Sequence, residues 1–232
     1  MSLLVLAFDT STAIATVAVA RESEVERGIL AEVNVAGRGS GGSSEALLPA
    51  VHAALGMCDL GISDLDLVLA GLGPGTFTGV RICAATARSL AAGSGVGLCA
   101  GDTLSALATP ALSALAGGDG VLSVVDARRG EVFTRRFDAG GPLGEILCRK
   151  PEELPPEMAA TLVVGDGAAR YRERLEHLGR IPPDESPLHR LTAAGMVRAS
   201  DLTPVPPEEL TPIYVREPDA ETRRERNPWS RD

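Results

Sequence analysis

Residues 3–8, LLVLAF, are apolar without interruption, a polar turn follows at Asp9-Thr10-Ser11-Thr12, and a second apolar run, IATVAVA, fills 14–20. Short continuous runs bounded by turn residues predict two buried strands joined as a hairpin. A third strand is expected over 25–35, and the glycine- and serine-rich 37–44 reads as a flexible loop. The pattern then becomes helical. EALLPAVHAALGM, 45–57, predicts a helix that begins near Leu48 or bends there, because proline suits the first turn and not the interior. LDLVLAGLG, 65–73, is a further buried strand, and VRICAATARSLAAG, 80–93, a helix with Gly93 as its stop. On this last helix Val80, Cys83, Ala87, Leu90 and Ala91 share one face, suited to a sheet, while Ile82, Ala85, Ser89 and Ala92 share another.

A helical segment starts near Thr103, and then VLSVVDARRGEVFTRRF, 121–137, repeats an earlier shape. Like LVLAFDTSTAIATVAVA, it is an apolar strand ending in an aspartate, a short polar turn and a second strand. Such a unit opening each half predicts two lobes of related build, 1–103 and 104–217, followed by a tail, 218–232. Residues 151–160 and 181–187 are proline-rich connectors, and the tail mixes Arg223, Arg224, Arg226 and Arg231 with acids, as a solvated end does.

Composition narrows the function classes. The chain of 232 residues has 31 acidic against 22 basic side chains, a net charge of −9, and only 7 aromatics (4 Phe, 2 Tyr, 1 Trp). An unaided grip on a nucleic-acid backbone is not expected from this balance, nor a base-stacking platform. No run of about 18 apolar residues predicts a membrane helix, and Met1–Leu6 lacks the basic start of a secretory signal. Cys58, Cys83, Cys99 and Cys148 are scattered in apolar segments, as buried thiols of a cytoplasmic protein are. His52, His177 and His189 form no metal-binding pair, so no metal site is expected; no G-x-S-x-G elbow occurs, and Ser40, Ser43 and Ser44 have no assignable base.

The stretch GLGPGTFTGVR, 71–81, carries Gly73, Pro74, Gly75 and Gly79 between strand and helix. It lacks the lysine of a Walker cradle, which leaves either an anion-receiving helix start or a structural turn. An acidic turn between two strands in each of two lobes is the layout with which actin-like and sugar-kinase-like ATPases hold phosphates. Backbone must approach the phosphates closely there, so small residues are needed. Asp9, Thr10 and Ser11 meet that need. Asp126-Ala127-Arg128-Arg129 does not: the arginines either pair with phosphate or form a solvated hairpin tip. VVGDGAAR, 163–170, with Gly165 and Gly167, either covers a nucleoside or turns the chain into a helix.

AFDTSTAIATVAV, SSEALLPAV, GLGPGTFTGVRICAATARSLA, VVDARRGEVFTRRF and LTPIYVRE stand in the order and spacing of the TsaB family, also called YeaZ, which the whole chain resembles. GPGTFTGVR with its helix is the most specific part. The resemblance implies a two-lobed α/β actin-like fold with mixed sheets and a degenerate nucleotide site, at Asp9, Thr10, Ser11, Asp126, Arg128, Gly165 and Gly167. It implies a non-catalytic adaptor in tRNA threonylcarbamoyladenosine synthesis, acting on the adenosine beside the anticodon of tRNAs that read codons beginning with A. The implied partners are a TsaD-like catalytic paralogue and a small TsaE-like ATPase, with ATP or ADP and magnesium held by those subunits and not tightly by this chain. tRNA is met only through the complex, and a homodimer is possible for the chain alone. The expected partner surface is a four-helix contact using Leu47, Leu48, Val51 and Leu55 with Ile82, Ala85, Ser89 and Ala92. The family often has a histidine before its first long helix, where this chain has Ser43. The rival reading is an enzyme, an ATP-dependent kinase or ATPase in which Asp9 and Asp126 position magnesium-bound ATP.

Overall fold

The computed structural model describes residues 2–23, 27–37, 39–115 and 120–216, without the side chains of 39–41; the expected tail lies outside them. In the first lobe β1 (Leu3–Asp9), β2 (Ile14–Glu22) and β3 (Arg27–Ala36) form an antiparallel meander. Parallel strands β4 (Leu67–Gly71) and β5 (Gly97–Gly101) extend it on the other side of β1, giving the order β3-β2-β1-β4-β5. The second lobe repeats the plan in shorter form. Its strands β6 (Val121–Arg128), β7 (Glu131–Asp138), β8 (Gly141–Arg149) and β9 (Leu162–Val164) pair in the order β8-β7-β6-β9, with β9 parallel to β6.

Alternation along the strands sorts the core into layers. Leu6, Phe8, Val17, Val19, Val68 and Ala70 meet α1 (Leu47–Gly56) and α2 (Phe77–Ser94) on one face of the first sheet. Val5, Ala7, Ala18, Ala20 and Leu69 meet α3 (Thr103–Ala114) and α6 (Ala193–Ala199) on the other, and these two helices also touch Val121, Val125 and Phe133 of the second sheet. The far face of the second sheet, Leu122, Val124 and Val132, packs on α4 (Asp166–Arg170) and α5 (Arg172–Leu175). Helices, sheet, helices, sheet, helices is the two-lobed actin-like, sugar-kinase-like α/β architecture.

Several local expectations are sharpened. Residues Gly39–Ala46 form 3₁₀ turns, α1 starts at Leu47, and Pro49 sits in its first turn, where a missing N–H breaks no helical bond. Gly93 does not stop α2: the helix runs to Ser94, and Gly95, at φ 75°, forms the left-handed cap. The boundary at 103/104 separates the two sheets but not the whole chain. After the second sheet the backbone returns: Ala193 N donates to Thr16 Oγ1 at 2.7 Å, Val205 bridges Leu98, Arg88 donates to Pro207 O and Leu210 O, and Ile213 N donates to Leu72 O at 2.8 Å. Residues 193–213 thus strap the first lobe.

Candidate functional site

The turn after β1 is closed by the chain itself. Asp9 is fully buried, its carboxylate accepting from Ser11 N and, at 3.3 Å, from the Thr103 hydroxyl. A Cβ on Gly71 would lie 1.9 Å from Asp9 Oδ2, so the carboxylate rests directly on that backbone. Burial outweighs these hydrogen bonds and raises the Asp9 carboxyl above the ordinary carboxylate range. Over the same turn lies the glycine stretch, entered through a cis Gly73–Pro74 peptide. Thr76 N donates to Ser11 O at 2.7 Å, the Thr10 hydroxyl to Gly79 O at 3.0 Å, and Thr10 N to Cys83 Sγ at 3.2 Å. A side chain at Gly75 would put its Cβ 2.5 Å from Ser11 O, and at Gly79 2.0 Å from Thr10 O. Gly73, Pro74, Gly75 and Gly79 therefore bring α2 down onto the Asp9 turn, and the Asp9 carboxylate is enclosed by backbone. Ser43, 6% exposed, is aimed at Thr10 O and Thr12 O and ties the 3₁₀ segment to the same turn.

The second turn is closed differently. Asp126 accepts from Arg128 N and Nη1 and from the Tyr171 hydroxyl, and its Oδ2 lies 3.6 Å from Arg170 Nε. Arg128 and Arg129 both have positive φ, an arrangement that hairpin tips usually give to glycine or asparagine. Gly165 and Gly167 pack on Val124 and Asp126, where added Cβ atoms would stand 2.1 Å from Val124 O and 3.0 Å from Asp126 N. Asp166 Oδ1 caps Asp126 N at 3.1 Å. GDG is thus the second lobe's counterpart of the β4–α2 turn, joining β9 to α4. Between the lobes, Thr12, Ala13, Asp166 and the buried His189 enclose only about 50 Å³, against roughly 300 Å³ or more in small-molecule sites. His189 is held by Gly165 O and Pro182 O, each 3.0 Å away. The space at Thr12 and His189 is too small for ATP. Among the described residues no cluster of His, Cys, Asp or Glu is arranged to hold a metal ion, and the four cysteines are free thiols.

The Asp9 geometry predicts a pH effect. A carboxyl whose folded pKa lies above its unfolded value adds stability below the ordinary pKa of 3.8, and that stability is lost as pH rises through the folded value. Asparagine keeps an acceptor for Ser11 N and never becomes charged. The stability of Asp9→Asn relative to wild type is therefore expected to increase as pH rises from 4 to 8, measured by thermal melts. Asp166, also raised by burial, is present in both proteins and cancels. A difference independent of pH would refute the assignment.

The outer layer is the other candidate surface. Leu47, Val51 and Leu55 point into the first lobe's own core, each at most 5% exposed, so they leave the expected partner surface. Leu48, 60% exposed, remains on it, and α1 ends at an exposed residue that sequence reasoning missed, Met57 at 67%. Its signal was the complement of the buried face: Leu48, Pro49, His52, Ala53 and Gly56 all lie outward with it. On α2, Ala85, Ser89 and Ala92 are exposed and Ile82 is half-buried. Ala85 does not pack inside the chain, and the Ser89 hydroxyl turns back to Ala85 O at 2.8 Å, leaving a low, small-residued surface.

Comparison with known proteins gives one consistent relationship. The family described as TsaD, tRNA N6-adenosine threonylcarbamoyltransferase, matches residues 38–150. The Bacillus subtilis tRNA threonylcarbamoyladenosine biosynthesis protein TsaB is 33% identical over 181 residues, covering 74% of this chain and 75% of that protein. An uncharacterized Mycobacterium leprae protein is 33% identical over 94% of the chain, which spans 56% of that relative's length. The structure of YeaZ from Pseudomonas aeruginosa superposes with a TM-score of 0.73 at 24% identity, covering 92% of this chain and all of that one. No helix among the described residues is long and apolar enough to cross a membrane.

Proposed function

Since the chain belongs to the TsaB family of tRNA threonylcarbamoyladenosine biosynthesis proteins, we propose that it serves that pathway as a non-catalytic adaptor. The observation that carries this reading is the sealed Asp9 turn: the aspartate that would face phosphate in a relative of ATPases is enclosed by the β4–α2 backbone. A group enclosed in this way reaches neither metal nor substrate. What the chain offers a partner is the outer face of α1 and α2, with Leu48, Met57, Ile82, Ala85, Ser89 and Ala92.

The partner is a catalytic paralogue of the TsaD type, fixed in an active arrangement by two helices from each protein. A small TsaE-like ATPase completes the system, and nucleotide and magnesium belong to those subunits. With a net charge of −9, the adaptor meets tRNA only within the complex. In the partner's absence the same face pairs with a second copy. The kinase or ATPase reading is not favoured, because Asp126 is engaged by Arg128, Arg170 and Tyr171 and Asp9 is enclosed.

The test is Asp126→Ala in the reconstituted modification reaction. Activity is expected to stay within a few-fold of wild type once the variant is shown to be folded and assembled. A carboxylate that positioned metal or reacting phosphate would cost about 10²–10³ in rate, and a loss of that size would overturn the adaptor reading.

A further inference from the structure

A larger cavity, bordered by Gly75 and Thr76 of the glycine stretch and by Asp126 and Arg128 of the second turn, opens between the start of α2, the β6–β7 hairpin and residues 213–216, with a volume of about 440 Å³. Its lining is unlike the rest of the molecule in two respects. Of the chain's 7 aromatic residues (4 Phe, 2 Tyr, 1 Trp), three, Phe77, Phe133 and Tyr214, stand on this one wall. Its charged lining is Arg81, Arg128 and Arg216 against Asp126 alone, a balance of +2 in a protein of net charge −9. Asp126 is already engaged by Arg128 and Arg170, and Arg216 pairs with Glu131 at 2.6 Å.

Of the three arginines, Arg81 is the one that meets no carboxylate among the described residues. Its guanidinium lies 3.5 Å from the Phe77 ring centroid, and its Nε donates to the Tyr214 hydroxyl at 2.9 Å. The two rings stand 5.6 Å apart. A neutral hydroxyl and an aromatic face orient this guanidinium without neutralising it, and they hold it beside apolar surface, since Phe77 is 41% and Tyr214 48% exposed. A held guanidinium with Nη donors to spare is a receptor for the planar or tetrahedral oxygens of an anion. A pocket of this size, mostly apolar with a few placed polar groups, has the dimensions of a small-molecule site.

We infer that this cleft binds a small organic anion: a flat apolar body lies against Phe77, Phe133 and Tyr214, and its phosphate or carboxylate is received by Arg81. The inference does not depend on the adaptor contact proposed above. Calorimetric titration of the full chain alone tests it, with phenyl phosphate and benzoate as probes of the two anion types and phenol and inorganic phosphate as the separated halves. One saturable site is expected for phenyl phosphate or benzoate, with Kd below about 1 mM, and whichever binds more tightly identifies the anion. Phenol and inorganic phosphate should each bind at least about tenfold more weakly. Arg81→Gln should weaken the preferred probe about tenfold or more while leaving the melting temperature unchanged. Tyr214→Phe, which removes only the hydroxyl that orients Arg81, should weaken it by a smaller factor. Absence of saturable binding up to about 5 mM of either probe would overturn the inference. Equal affinity in Arg81→Gln would do the same.

Discussion

Ala85→Glu is expected to lose at least about a hundredfold in affinity for the catalytic partner, roughly 2.7 kcal/mol or more, while melting at the wild-type temperature. Position 85 is exposed on α2 beside Ser89, so a glutamate there is hydrated in the free protein and disturbs none of the lobe's own packing. In a four-helix contact the same carboxylate would be buried against another chain without a counter-ion, and breaking charge balance in this way typically costs about 3–5 kcal/mol. Leu48→Glu on α1 should act in the same direction. Leu55→Glu should not, because Leu55 is core and its replacement would destabilise the lobe itself. The measurements are a binding titration with the purified partner and a thermal melt of each variant. Undiminished affinity of Ala85→Glu, or a clearly lowered melting temperature, would remove this face from the interface.

Gly79→Ala is expected to destabilise the protein by about 3 kcal/mol or more, through overpacking that no rotamer can relieve. The new Cβ would stand 2.0 Å from Thr10 O and 2.6 Å from Thr76 Oγ1. The nearest of these atoms is backbone, so the Asp9 turn must move. Moving it strains the bonds from Thr10 to Cys83 and Gly79 and from Ser43 to Thr10. For a chain of this size a loss of 3 kcal/mol corresponds to a fall of about 6–12 °C in Tm. Gly93→Ala is the control of opposite sign. Nothing lies within 4 Å of the place its Cβ would take, it sits inside α2, and alanine there should gain about 0.5–1 kcal/mol from helix propensity. If Gly79→Ala melted like wild type, the glycine stretch would be an open loop and the sealed turn an incorrect description.

Whatever depends on residues close along the chain is legible in the sequence. The runs 3–8, 14–20 and 65–73 and the repeated strand–aspartate–turn–strand at 121–137 specify strands, because side-chain period and turn residues act over a few positions. The two-lobed plan was legible for the same reason, since each half states it locally. Tertiary structure alone decided which apolar residues are core and what the turns do. Leu47 and Leu48 read alike in sequence but stand about 100° apart on a helix, so only one can face the sheet. The short helix at Ala193–Ala199 carries no local mark of the sheet it will cover, and its place comes from bonds to Thr16 and Glu32 across more than 160 residues of chain. Asp9 is sealed by Thr103, 94 residues away, and by backbone at Gly71. The pairing of Arg81 with Tyr214 spans 133 residues. Such contacts are set by the fit of one backbone surface against another, and a one-dimensional pattern of apolar and polar positions contains no term for that fit.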